Sequence, residues 1–294
     1  MHLNEYQTSA HRTAQKAHIQ GTDEMVPILG LAGEVGELLN EYKKKLRDGD
    51  AHERFPERVV EELGDILWYV AETASRFGLD LETVADRNLA KTRSRWGTDD
   101  VDGTLFQSHA FDAGFPAEER FPRKLEADFR RFEDDGVVKT RVFVDGKQMG
   151  DPLTDNAHTP DGYQFHDVFH LACAAVLGWS PVIRKHLQRK RRSDGLVDEV
   201  EDGGRAIVTE EGISALVFAY ACDHKSLEGV KSLDYDLLKA IRIMVSRFEA
   251  AVCTTGEWER TILMGYEVWK QVQENQGGRV ELDLDARTIR YLGM

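Results

Sequence analysis

The 294-residue chain is 41% hydrophobic and 31% charged, which suits a globular protein of one or two domains and excludes a disordered or membrane-embedded chain. A formal net charge of −14 argues against a broad phosphate-binding surface, since such a surface needs a dominant basic face, and nucleic acid is not an expected partner. Three widely spaced cysteines, Cys173, Cys222 and Cys253, form neither a disulfide framework nor a zinc cluster and read as core residues.

The amino terminus, "MHLNEYQTSAHRTAQ", lacks a basic region followed by an apolar stretch. The longest apolar runs, such as "ISALVFAYAC", reach about half a membrane span, so no membrane association is expected and the cytosol is the expected compartment. A first helix is predicted over "NEYQTSAHRTAQKAH", capped by Asn4, and a second from near "TDEM" to about residue 46, where "RDGD" stops it. Pro56 suits the first turn of a third helix, which runs to Gly78. A fourth covers residues 80–97. Four helices with short connections predict a mainly α fold built on a four-helix bundle over 1–97.

The helical pattern fails in "TDDVDGTLFQ", and 98–107 is the expected linker. The region 108–294 is expected to be mostly helical with small β-hairpins. Asp145-Gly146 in "VVKTRVFVDGKQMGD" signals one hairpin, and "RVELDLDARTIRYL" reads as another strand pair.

The second and third helices carry the same device. "EVGEL" at 34–38 and "ELGDI" at 62–66 share the order acid, aliphatic, glycine, acid, aliphatic. Residues three apart lie on one helical face, so Glu34 with Glu37, and Glu62 with Asp65, each form an acidic patch beside an apolar stripe. The stripes are Ile28, Leu31, Val35, Leu38 and Tyr42 on one helix, and Val59, Leu63, Ile66, Leu67 and Val70 on the other. If the stripes pack together, four carboxylates converge, an arrangement that is unfavourable without a cation among them. All-oxygen ligation suits Mg²⁺, or alternatively Mn²⁺. Glycines beside the acids leave room for ions and substrate.

The segment "GLAGEVGELLNEYKK…EELGDILWYVAETA…NLAKTRSRWG" resembles the MazG-like all-α nucleoside triphosphate pyrophosphohydrolases, whose signature is E-x-x-E, a spacer, then E-x-x-D. Glu34, Glu37, Glu62 and Asp65 stand at all four signature positions, and the resemblance covers roughly residues 20–97. It implies metal-dependent cleavage of a nucleoside or deoxynucleoside triphosphate to the monophosphate and pyrophosphate, and assembly into a homodimer or higher homo-oligomer. One of the four carboxylates is expected to act as general base, without the sequence singling it out. Glu41 and Glu61 are candidates for outer roles, plain surface acids being the other reading. The resemblance also implies a phosphate-contacting role for Asn88, Lys91 and Arg95, which share a face of the fourth helix; their rival reading is cations favoured by the helix dipole. "KKK" at 43–45 carries the same ambiguity.

In the second half, "YQFHDVFHLACAAVL" places His166 and His170 at i, i+4, the spacing of a paired metal ligand, with Asp167 beside the first. Glu201, Asp202, Glu210 and Glu211 follow. A second site of HD-type phosphohydrolase character at His166, Asp167 and His170 is one reading; satisfied core histidines are the other. "EEGISALVFAYA" loosely echoes "EELGDILWYVAE", raising a degenerate copy of the bundle that completes a pocket, supplies an interface or senses a ligand. The basic run at 184–194 reads as a solvated helix end, with a docking surface for phosphate or an acidic partner as the alternative. The expectation is an enzyme with its active site in the first bundle and an accessory second half; a noncatalytic nucleotide sensor is the rival.

Overall fold

The computed structural model describes residues 1–14, 22–96 and 109–294, the side chains of 94–96 excepted. The expected linker at 98–107 and the side chain of Arg95 lie outside the described residues. The chain divides into two compact units, Met1–Arg93 and Ser94–Met294. Among the described residues no helix is long and apolar enough to cross a membrane.

The first unit holds α1 (Leu3–Arg12), α2 (Met25–Asp48), α3 (Phe55–Arg76) and α4 (Leu81–Trp96). Pro56 occupies the first turn of α3, where a missing N–H costs nothing. Gly78, at φ +63°, follows the end of α3 in a conformation that favours glycine. α2 and α3 pack along each other, and α1 packs on α3. The buried apolar core, drawn from α1, α3 and the start of α4, is small: Ala10, Ala71, Ala74 and Leu81, edged by Tyr6, Trp68 and Val70. The start of α4 is tied to α1, with the Leu81 N–H donating to Gln7 Oε1 at 2.8 Å and the Glu82 N–H to Asn4 Oδ1 at 3.1 Å.

Two expectations need amending here. The apolar stripes of α2 and α3 are not buried against each other: Ile28, Val35, Tyr42, Leu63 and Leu67 are 40–57% exposed. Nor does α4 cover them, because beyond Leu81 its described side chains are mostly exposed and polar. The unit is therefore a packed helix pair with α1 across it and α4 attached at its start.

The second unit contains β1 (Lys124–Asp134), β2 (Val137–Val144), β3 (Lys147–Leu153), α5 (Asp167–Ala172), α6 (Pro181–His186), α7 (Gly195–Val200), α8 (Gly204–Cys222), α9 (Tyr235–Met244), α10 (Thr255–Glu274), β4 (Gly278–Asp283) and β5 (Thr288–Gly293). A single π-helical turn, Cys173–Leu177, continues α5. The strands form one antiparallel sheet in the order β3-β2-β1-β4-β5. Asp145 and Gly146, at φ +50° and +74°, form the β2–β3 turn as the sequence predicts, and Asp135-Gly136 does the same between β1 and β2. The two small hairpins are thus joined into a larger sheet by β1, whose inward Leu125, Ala127 and Phe129 alternate with charged residues. Leu125 pairs with Leu282 and Ala127 with Val280 across the β1–β4 ladder.

α5 and α10 cross closely at Gly265, where an added Cβ would stand 3.0 Å from that of Ala172. Trp179, Trp258, Ile262, Val272, Val280 and Leu282 belong to the core beneath. A sheet-bearing unit of this kind is not a copy of the helical first unit.

The basic run at 184–194 differs from the solvated helix end expected of it. Arg184 and Arg191 are each 1% exposed. Arg184 donates to Asp112 at 3.0 Å, and Arg191 donates to Asp202 and Glu249, each at 2.7 Å through Nη2. Buried carboxylates on other segments offset the cost of desolvating both guanidiniums. Of the three cysteines read as core residues, Cys173 and Cys253 are buried, whereas Cys222, at the end of α8, is exposed.

Candidate functional site

The close pairing of α2 with α3 brings Glu34 of α2 to Glu62 and Asp65 of α3. One carboxylate oxygen from each lies within 4.8 Å of the other two. Burial pushes the Glu62 carboxyl above its ordinary range, and the charges of Glu34, Glu61, Asp65 and Glu37 add to the effect. Among the described residues no side chain forms an ion pair with Glu34, Glu37, Glu62 or Asp65. Three crowded oxygen donors without a protein cation have the chemistry of a hard-cation site.

Glu37 stands apart from that trio. It lines a cleft of about 650 Å³ with Glu62 and with Lys44, His52, Arg54 and Arg58. Glu41, also there, is only 6% exposed. Hydrogen bonds from Lys44, and then His52 at 2.9 Å, hold its carboxyl below the ordinary range against the effect of burial. Glu61 accepts from Arg58 at 2.6 Å. Both residues considered for outer roles therefore anchor cations beside the acids.

On the other side a cavity of about 610 Å³ is lined by Glu34, Asp65, Trp68, Tyr69, Glu72 and Arg76, among others. Trp68 and Tyr69 meet edge to face, centroids 4.9 Å apart, and the Trp68 indole donates to Thr13 Oγ1 at 2.9 Å. Glu72, 2% exposed, is paired with His11 at 2.8 Å and with Arg76. Trp68, Tyr69 and Arg76 in the cavity, and Arg54 and Arg58 in the cleft, stand outside the acidic motif. A signal for the aromatics was present, since they follow Asp65 at i+3 and i+4 and so fall on its side of α3.

The glycines have two explanations. A Cβ at Gly30 would overlap the Tyr69 ring, so close helix approach requires glycine there; Gly33, Gly36 and Gly64 meet nothing within 4 Å and leave open space near the acids.

Residues 22–97 match the family model described as the MazG nucleotide pyrophosphohydrolase domain, and residues 106–294 match the one described as the MazG C-terminal domain. The chain belongs to the MazG family. The Gene 37 protein of Mycobacterium phage L5 is 39% identical over 101 residues, which span 32% of this chain and 89% of the phage protein. No solved structure matches.

Within the MazG domain, Asn88 and Lys91 are exposed on α4, and neither lines the cavity or the cleft beside the acids. In the MazG C-terminal domain, His166 and His170 come together with Glu211 rather than with Asp167 alone: one ligand atom from each of these three lies within 4.8 Å of the others. Asp167 flanks them, Oδ1 being 3.8 Å from His166 Nε2. Burial opposes a charge on His170, but Glu210 and Glu211 outweigh it and raise its pKa to about 10 when no other cation is present. Glu201 and Asp202 lie elsewhere, Glu201 accepting the Glu249 N–H and Asp202 holding Arg191.

Proposed function

We propose that the first unit hydrolyses a nucleoside or deoxynucleoside triphosphate to the monophosphate and pyrophosphate, with Glu34, Glu62 and Asp65 holding Mg²⁺ or Mn²⁺. The observation that carries this reading is the convergence of those three carboxylates from two helices, with no cation paired to them among the described residues. A divalent ion bound there supplies charge neutralisation for phosphate oxygens and makes a nearby water more acidic.

The chain's own groups do the rest. Glu37, on the outer side of Glu62, is placed to take a proton from the attacking water, the general-base role assigned here to one of the four signature acids. Trp68 and Tyr69 offer faces and edges on which a base packs. Lys44, Arg54 and Arg58 border the cleft from which Glu37 projects and offer charge-assisted contacts to the phosphate tail. Asn88, Lys91 and Arg95 join that set if α4 is brought over the site.

Such a rearrangement has a source. The exposed apolar residues of α2 and α3, Leu29, Val35, Leu39, Leu63 and Leu67 among them, support assembly with a second copy that completes a four-helix bundle. The reading is of a cytosolic enzyme whose second unit is accessory to this chemistry.

The test is incubation with each nucleoside and deoxynucleoside triphosphate and Mg²⁺ in ¹⁸O-water, with products separated by chromatography. Monophosphate carrying the label, together with unlabelled pyrophosphate, is expected. Diphosphate with orthophosphate would overturn the proposal, and binding without turnover would leave a nucleotide sensor instead.

A further inference from the structure

His166 and His170 are each held by a hydrogen bond at one ring nitrogen. His166 Nδ1 is 2.8 Å from the Tyr163 carbonyl oxygen, which can only accept, so Nδ1 carries the proton and the neutral ring presents a lone pair at Nε2. The ring is kept in that orientation by stacking on Tyr163, centroids 4.4 Å apart and planes 9° from parallel.

His170 repeats the arrangement with a carboxylate. Its Nδ1 donates to Glu210 Oε1 at 2.9 Å. Glu210 is fully buried and is itself fixed by the Ser180 hydroxyl at 2.7 Å and the Val182 N–H at 2.9 Å. The other nitrogen, Nε2, is buried and has no hydrogen-bond partner. Glu211 Oε2 is 3.3 Å from it but outside hydrogen-bonding geometry. A buried ring nitrogen left over in this way, aimed at a carboxylate, is rare unless something occupies the gap.

A carboxylate or carbonyl behind each imidazole, with the front nitrogens left for coordination, is how proteins orient metal-binding histidines. We propose that His166, His170 and Glu211 form a site for a divalent transition-metal ion of the zinc or ferrous class, distinct from the carboxylate site of the first unit. Two imidazole nitrogens and one carboxylate oxygen select such an ion over Mg²⁺, which prefers oxygen alone. The set comes from the start of α5 and from α8, so binding also ties those elements together. Three protein ligands leave a coordination position for water or a small anion. That position has a way in, since the Glu211 side chain is 43% exposed while His170 is fully enclosed. Asp167, beside His166, is placed to accept a hydrogen bond from what occupies the open position.

The experiment uses the full chain, stripped with chelator and titrated with Co²⁺ and then with competing Zn²⁺. Expected is the strong visible absorption of a low-coordinate, nitrogen-ligated Co²⁺ ion that saturates at one equivalent of such ions per chain and is bleached by Zn²⁺, whatever weakly absorbing Co²⁺ the carboxylate site also takes. His166→Gln and Glu211→Gln should each weaken Co²⁺ binding at least about tenfold, the scale of lost metal-site interactions. Both positions are partly exposed, so these variants should fold even if His170→Ala does not. Paired Glu62→Gln and Asp65→Asn changes in the first unit should leave the absorption intact. An absent band, or one that both second-unit variants leave unchanged, overturns the site. So does a ¹⁵N spectrum in which His170 keeps both N–H protons with equimolar Zn²⁺ present, which would make it an imidazolium ion-paired with Glu210 and Glu211.

Discussion

The Tyr69 ring fills the space that a Cβ on Gly30 would need, so the approach of α2 to α3 beside the carboxylates depends on a missing side chain. Gly30→Ala should cost about 1–3 kcal/mol through overpacking, more than the roughly 1 kcal/mol that alanine adds in helix propensity. Gly33→Ala, facing open space, should instead stabilise the unliganded fold by up to about 1 kcal/mol. Urea unfolding of the two variants side by side measures both, and equal stabilities would show that Tyr69 yields without cost.

Glu62→Gln should separate stability from activity. Because the fold raises the Glu62 pKa, the native state binds its proton more readily than the unfolded state does, and the ionised group opposes folding at neutral pH. The amide should therefore raise Tm without divalent cations, shrink the Tm rise that Mn²⁺ produces, and lower turnover at least about 10²-fold. Turnover near that of the parent would remove Glu62 from the proposed site.

The ends of α3 and the paired acids were legible in the sequence because both follow short-range rules: Pro56 at a first turn, Gly78 after a last one, and acids three apart on one face. The cap expected at Asn4 was not, since α1 runs from Leu3 to Arg12 with His2 before it and Asn4 instead accepts the Glu82 N–H. The membership in the MazG family was legible for the same reason, since its signature is local. The strand β1 was not. Its stretch KLEADFRRFED is rich in charge, and only pairing with the distant β4 makes its three inward residues a core face. Likewise Arg184 and Arg191 read as surface residues until Asp112, Asp202 and Glu249 arrive from other segments. The stripes on α2 and α3 are legible as apolar faces, but periodicity alone does not say whether they are covered within the chain, and here they are largely exposed.

If a second copy covers those stripes, Leu39→Glu and Leu63→Glu should dissociate the assembly. Both side chains are at least half exposed in the single chain, so the charge costs little within it. Light scattering after size exclusion should show the parent as a dimer or larger and the variants as monomers. A monomeric parent would sink the assembly proposed here.

Asp80 supplies a pH-dependent contribution at the start of α4. Its carboxylate accepts from the Thr83 N–H at 2.7 Å and from the Thr83 hydroxyl, and these bonds, the hydroxyl first, hold its pKa below the ordinary value. The contribution is complete above the unfolded-state pKa of about 3.9 and is lost as pH falls through the lower folded value. The Tm difference between the parent and Asp80→Ala should thus be constant near neutrality and vanish in strong acid. A difference that persists at the lowest pH would place the effect elsewhere.

Arg191→Met should destabilise the second unit by about 3–5 kcal/mol, the scale for breaking a buried ion pair by removing one partner. Asp202, fully buried, would keep the backbone N–H of residue 191 at 2.7 Å and the more distant Arg184 at 3.7 Å, but would lose the Arg191 guanidinium. Adding Asp202→Asn should recover part of the loss. Chemical denaturation monitored by tryptophan fluorescence reads both, and a loss under about 1 kcal/mol in the single variant would mean that water replaces the guanidinium without penalty.

β1 has β2, its successor in the chain, on one side and β4 on the other, with α5 to α10 between them in sequence. During synthesis β1 and its hairpin leave the ribosome with one long edge unpaired, and that edge waits until α5 to α10 have been made. The first unit lies wholly within Met1–Arg93, so even its longest ties, from α1 to the start of α4, need no such delay. Birth of this protein is therefore staggered: an early, quickly formed helical part, then a late and all-at-once closure whose exposed strand edge is the point at which a nascent chain most needs shielding.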